Sequence, residues 1–203
     1  MALVTALLVS GLFGAETQDR GQPVDLPAPE AVLVEKAVAK RQREFALGRM
    51  CARGALEKLG HGGVVIGRGA NGAPLWPQGV TGSITHTKGY AAAVVGELRH
   101  FSGIGVDAER TDGVTQDLWP RLFDDVERDH LMALDEPERD IAATMIFSAK
   151  EACYKAWSGK EPLVFRDIRI TPEKESFTAA RAGEILQGRY AVDGGLVVTV
   201  VWF

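Results

Sequence analysis

Cysteine is scarce. The chain has two, Cys51 and Cys153, and neither has a second cysteine or a histidine at metal-ligand spacing. That argues against a disulfide framework and a thiolate metal centre, and for two reduced, partly buried thiols in a cytoplasmic setting. Basic charge is missing from the start of the chain, where no Lys or Arg precedes Arg20. The apolar opening MALVTALLVSGLFG therefore lacks the basic flank of a signal peptide, and it is too short to cross a bilayer as a helix. We read it as a buried strand around Leu3 to Val9 and then a glycine-containing turn, with a cleaved signal as the lesser alternative. There is no basic excess overall either. The net charge is −4, which argues against general nucleic-acid binding but leaves room for a local basic patch.

What is present is ordinary for a globular protein: 46% apolar and 25% charged residues. A chain of 203 residues makes one large domain or two small ones sharing a core. The polar, proline-bearing stretch from Glu16 to Pro29 reads as a loop. From Ala28 to Leu59 the pattern is helical, with Phe45, Ala52, Leu56 and Leu59 on one face and a break near Lys40 or Arg41. Residues 60–82 read as glycine-rich loops around one short strand, Val64 to Ile66. Strands are expected at Ser83 to His86, Tyr90 to Val95 and Ile104 to Ala108. Helices follow over 117–134 and from about Glu138 to Trp157. The tail reads as strands at Arg166 to Ile170, Ser176 to Ala180, Ile185 to Tyr190 and Leu196 to Phe203. Helices and strands mix in both halves, so the fold class is α+β.

Four patches could carry chemistry. In the run from Trp76 to His86, alternation on a strand sends Ser83 and Thr85 to one face and His86 to the other. A histidine beside a glycine turn can donate to a phosphate, though a lone histidine is more often structural. Asp107 and Glu109 are two apart, so on a strand both carboxylates leave one face. That suits Mg²⁺, and it equally suits an exposed acidic strand end. On a helix, Glu151 and Lys155 share a face, as an ordinary surface pair would. Their neighbours Phe147, Ala152, Tyr154 and Trp157 are too apolar for a purely solvated helix. The arginines Arg41, Arg43, Arg49 and Arg53 suit forked recognition of phosphate oxygens, or a solvated helix face.

Together the patches resemble the phosphopantetheinyl transferase superfamily, in its larger single-chain branch serving siderophore, nonribosomal-peptide and polyketide synthesis. The matching stretches are W-P-x-G-x-x-G-S-I-T-H at 76–86, G-V-D-x-E at 105–109, F-S-x-K-E-x-x-Y-K at 147–155, and Arg43-Glu44-Phe45 with Gly48 and Arg49. Their order is family-like, and so is the gap of about forty residues between the acidic pair and Glu151. Val106 replaces a common isoleucine, and nothing after Asp167 carries a family signature.

The resemblance implies two similar α+β halves in a pseudo-twofold arrangement, residues 1–103 and 104–203, with coenzyme A in the cleft between them. It implies a monomer that moves 4′-phosphopantetheine onto a serine of a carrier protein and releases 3′,5′-ADP. Asp107, Glu109 and Glu151 map onto Mg²⁺ ligands, with Mn²⁺ as an alternative ion. Glu151 also maps onto the general base. Lys150 and Lys155 map onto phosphate-binding lysines, and Lys155 onto the one over the pyrophosphate. His86 maps onto the histidine at the 3′-phosphate, with Ser83 nearby. Arg43, Arg49 and, more loosely, Arg68 map onto basic residues around the nucleotide phosphates. Tyr154 and Trp157 are expected on the pantetheine or carrier side, at least one of them in the core. His61, His100 and His130 are expected at the surface, and Trp119 and Trp202 in the core. Two rivals are a Mg²⁺-dependent phosphohydrolase, such as a nucleotidase or nuclease, and a non-catalytic coenzyme A-binding or carrier-docking module. The first leaves the 76–86 stretch unexplained, and the second sits poorly with three intact acidic positions.

Overall fold

The computed structural model describes residues 2–157 and 164–203. The α+β class is what it shows. The elements are α1 (Leu3–Ala6), β1 (Phe13–Gln18), α2 (Ala28–Ala31), α3 (Ala39–Lys58), β2 (Gly67–Arg68), β3 (Pro74–Leu75), β4 (Val80–Thr87), β5 (Tyr90–Glu97), β6 (Ile104–Arg110), α4 (Trp119–Leu122), α5 (Asp125–Met132), α6 (Glu136–Ala156), β7 (Arg169–Pro172), β8 (Ser176–Arg181), β9 (Glu184–Asp193) and β10 (Leu196–Trp202). Among the described residues, no helix is long and apolar enough to cross a membrane.

Two antiparallel sheets carry the architecture. One has the order β1-β5-β4, and the other the order β6-β10-β9-β8-β7. α3 lies on the first through Leu47, Cys51, Ala52, Ala55 and Leu56 against Ala91, Ala93 and Val95. α6 lies on the second through Ile146, Ala149, Ala152 and Cys153 against Phe177, Val197 and Val201. The opposite faces meet in a third core, where Leu3, Val4 and Leu7 pack on Ala92, Val94, Val106, Val198 and Val200. Each fully buried Ile, Leu or Phe in these layers contributes roughly 1.5–3 kcal/mol. The third core thus spans both sheets and fixes their relative position.

Several boundaries differ from expectation. Leu3 to Val9 is not a strand. Leu3–Ala6 is helical, and the strand comes later at Phe13–Gln18, overlapping the expected loop. The reason is a tertiary partner: the Glu16 carboxylate accepts from the backbone N–H of Leu3 (2.9 Å) and Thr5 (3.1 Å), capping a turn that an apolar run alone does not reveal. The break in the first long helix falls earlier than expected, before an extended Val38 that opens α3. Val64 to Ile66 is irregular, and pairing begins at Gly67. The expected helix over 117–134 is divided at an extended Phe123, after which Asp124 and Glu127 form a capping box. Residues 165–167 form a 3-10 turn, so the expected strand from Arg166 starts at Arg169.

Candidate active site

Gly105 explains how the acidic strand and the lysine helix meet. A β-carbon at that position would lie 1.8 Å from the carbonyl oxygen of Ala152, so only glycine lets α6 settle directly on β6. That contact brings Asp107 of β6 beside Lys155 and Ser148 of α6. Lys155 Nζ donates to Asp107 Oδ1 at 2.6 Å and to the Val106 carbonyl at 3.1 Å. Ser148 Oγ donates to Asp107 Oδ2 at 2.9 Å. Thr85, from β4 in the other half, donates to Asp107 Oδ1 at 3.3 Å and accepts from the Ala108 N–H at 3.1 Å.

The carboxylates around this pair repel one another. Burial pushes Glu109 up to about 7, with Asp107 and Glu151 adding to the rise and Lys155 opposing it. Burial also raises Glu151, again with Asp107 adding to it and Lys155 opposing. The donors are all hard oxygens, the chemistry that suits Mg²⁺. As the side chains stand, no three acidic, histidine or cysteine groups among the described residues are gathered to hold an ion. Lys155 instead neutralises Asp107.

A second region is basic. A cavity of about 140 Å³ is lined by Arg41, Glu44, Phe45, Arg49, Arg68 and His86, among others. Arg41, Phe45 and Arg49 sit at i, i+4 and i+8 of α3, one stripe facing β4. Arg49 is 3% exposed. Its Nη2 donates to the Gly67 carbonyl at 2.9 Å, while Nε and Nη1 are buried without a partner. Its guanidinium lies 4.8 Å over the Phe45 ring, and burial pulls its pKa below the usual arginine range. Arg41 donates to His86 Nε2, and Glu44 lies 3.8 Å from His86 Nδ1. Burial, with Arg41 adding to it, lowers the His86 pKa, so the imidazole is readily neutral. A neighbouring cavity of about 310 Å³ shares Pro74 and Ile84 with the first and is lined by Trp76, Ser83, Tyr154 and Lys155, among others. The two cavities therefore lie side by side, the basic cluster lining one and Lys155 the other.

The structure thus gathers Arg49, Arg68 and His86 at one cavity and Ser83 and Lys155 at its neighbour. It does not bring all expected residues there. Lys150 is a correction: it is fully buried, and Nζ donates to Glu127 Oε2 (2.6 Å), the Leu122 carbonyl (2.8 Å) and the Phe165 carbonyl (3.1 Å). All three of its protons are committed to the protein, so none is free for phosphate. Arg43 is a second correction. It points off the stripe, donates to both oxygens of Asp19 and to the Gln22 carbonyl, and holds the 19–22 segment. Ser83 lines the second cavity rather than the His86 end. Tyr154 lines that cavity too, whereas Trp157 donates to Glu184 Oε2 at 2.9 Å and packs beside the second core. Arg41, named in the arginine cluster but not among the residues mapped from the resemblance, lines the basic cavity, as the helical spacing Arg41, Phe45, Arg49 allows. The expectation gave Ser148 no role either, although Ser148 stands in the 147–155 stretch.

Comparison with known proteins identifies the family. Residues 29–96 match the 4′-phosphopantetheinyl transferase N-terminal domain, and residues 103–201 match the 4′-phosphopantetheinyl transferase superfamily. The 4′-phosphopantetheinyl transferase Npt of Nocardia iowensis is 35% identical over 194 residues, 95% of this chain and 86% of that protein. The 4′-phosphopantetheinyl transferase PptT of Mycobacterium tuberculosis is 37% identical over 198 residues, 86% of this chain and 85% of that one. Enterobactin synthase component D of Salmonella typhi is 33% identical over 180 residues, 83% and 74% of the two chains. With both halves matched and such identity along most of its length, the chain belongs to the 4′-phosphopantetheinyl transferase superfamily.

Proposed function

We propose that the protein transfers the 4′-phosphopantetheine group of coenzyme A to a serine hydroxyl of an apo acyl or peptidyl carrier protein, releasing 3′,5′-ADP. The observation that carries the site assignment is Arg49. A buried guanidinium with two unpartnered nitrogens is costly unless an anion completes it, and it lines a cavity with Arg41, Arg68 and His86. The nucleotide phosphates supply that anion. The pantetheine arm then follows the second cavity past Trp76 and Tyr154, which sets the pyrophosphate near Lys155.

The serine oxygen attacks the β-phosphorus, the bond from that phosphorus to the oxygen of the leaving 3′,5′-ADP breaks, and the serine proton passes to Glu151 directly or through a water. Lys155 offsets charge on the pyrophosphate, and the basic cavity orients the nucleotide, so positioning and electrostatics carry most of the rate. Asp107, Glu109 and Glu151 are the residues that would hold a divalent cation, Mg²⁺ or Mn²⁺, which when bound neutralises phosphate oxygens. The halves 1–103 and 104–203 divide the work into nucleotide binding and catalysis. The enzyme acts as a monomer in the reducing cytoplasm, on carriers of siderophore, peptide or polyketide synthesis.

The test is a mass measurement. Apo carrier proteins are incubated with the enzyme, coenzyme A and Mg²⁺. Each modified carrier should gain one phosphopantetheine. Phosphate release with no gain on any carrier would overturn the proposal in favour of a hydrolase.

A further inference from the structure

Strand β10 reads Leu-Val-Val-Thr-Val-Val-Trp, one hydroxyl in an otherwise apolar run. That hydroxyl, Thr199, is fully buried, and in the β10–β6 ladder it stands directly opposite Asp107. Its Oγ1 lies 2.9 Å from Ser148 Oγ, also fully buried, and Ser148 reaches Asp107 Oδ2 at 2.9 Å. The direction of this chain follows from chemistry. An ionised carboxylate only accepts, so the single Ser148 proton goes to Asp107. Ser148 must then accept from Thr199. The relay runs one way, from Thr199 to Ser148 to Asp107. On the other carboxylate oxygen, Thr85 and Lys155 converge on Oδ1.

We infer that Thr199 and Ser148 are positioning residues for Asp107: they lock its carboxylate so that Oδ1 is the oxygen turned toward Lys155. The inference rests on the proposed role of Asp107 as an ion ligand. A carboxylate with one oxygen held from behind cannot swing about its terminal bond, so the other is presented in one orientation, as partners behind metal ligands do elsewhere. A valine at Thr199 would suit the surrounding apolar run equally well for packing, which leaves the hydroxyl to be explained by Asp107.

The test uses full-length Thr199→Val, Ser148→Ala and Thr199→Ser proteins. Mn²⁺ binding in the presence of coenzyme A is measured by calorimetry, unfolding temperature with chelator present, and kcat separately from the KM for coenzyme A. Ser148→Ala should weaken Mn²⁺ binding by roughly 10-fold or more, and Thr199→Val by less. The KM for coenzyme A should stay within about twofold, because neither residue lines the basic cavity. Thr199→Ser should restore wild-type values. Crystal structures of the first two variants should show the Asp107 carboxylate turned from its orientation here. Unchanged Mn²⁺ affinity with an unmoved carboxylate, and only a lower unfolding temperature, would overturn the relay. If the wild-type protein binds no Mn²⁺ with coenzyme A, the ion-ligand reading fails on its own. The Asp107 orientation in the variant crystals then decides the relay: turned supports it, unmoved overturns it.

Discussion

Each half of the chain buries one cation on its long helix, and the two cations are opposites. Lys150 on α6 is enclosed by Glu127 and two carbonyls, with every proton in use. Arg49 on α3 has one bond, to Gly67, and two nitrogens left over. By residue type both suit phosphate, but of the two it is Arg49 that lines a basic cavity among the described residues. Charge and burial together do not make a ligand site; unused donors do. Lys150 is a clasp joining α6 to Leu122, Glu127 and the turn at Phe165. Arg49 is an incomplete pair, which under the proposed function an anion finishes.

The largest test of this contrast is Lys150→Met. It leaves the Glu127 carboxylate buried without its cation and should cost about 3–5 kcal/mol of stability in urea unfolding. Coenzyme A affinity of the folded fraction should change by no more than about twofold. A stable variant with lost affinity would make Lys150 a ligand after all. Arg49→Met should do the reverse. Removing a charge-assisted set of donors should weaken coenzyme A binding by about 1.5–3 kcal/mol, roughly 10- to 100-fold in calorimetry. Stability should move by less than about 1 kcal/mol, since a desolvated charge disappears with the bond to Gly67. A loss falling on stability instead would make Arg49 a second clasp.

The acidic cluster offers a smaller version of the same test. Burial pushes Glu109 up to about 7, whereas its ordinary value is 4.5. Between those values the folded protein keeps a proton that the unfolded chain has released. Stability from this group therefore falls as pH rises from 4.5 through 7. Glu109→Gln should flatten that slope and stabilise the metal-free protein at pH 8 by about 1 kcal/mol. Denaturant titrations at several pH values read it, and a slope unchanged in the variant would place the cause elsewhere. The smallest effect is expected of Arg43→Ala. Its guanidinium is occupied by Asp19, which it holds down at about 2, so coenzyme A affinity should change by less than about twofold. A tenfold loss would return Arg43 to the site.

Much of this was readable in advance. The long helices, the strands from Ser83 to Ala108 and those from Ser176 onward follow from periodicity, because side-chain spacing of 3.6 or 2 is a local property. The candidates Asp107, Glu109, Glu151, Lys155, His86 and Arg49 are proposed from motif order. The errors come from partners distant in sequence, with one local exception. α1 is set by Glu16 of the next strand, the division at Phe123 by a capping box, and the fate of Lys150 by Glu127, which lies 23 residues away. Arg43 is set by Asp19, 24 residues off.

The sequence alone determined the family, the α+β class and the list of charged residues, since these depend on identity and order along the chain. Tertiary structure alone decided which of those charges are available. Whether a buried donor is satisfied depends on carbonyls and carboxylates brought up by other elements. Its orientation, as with Asp107 between Thr85, Lys155 and Ser148, depends on three strands and helices meeting at one point. Residue spacing does not encode such a meeting, because it is set by how the sheets and helices pack.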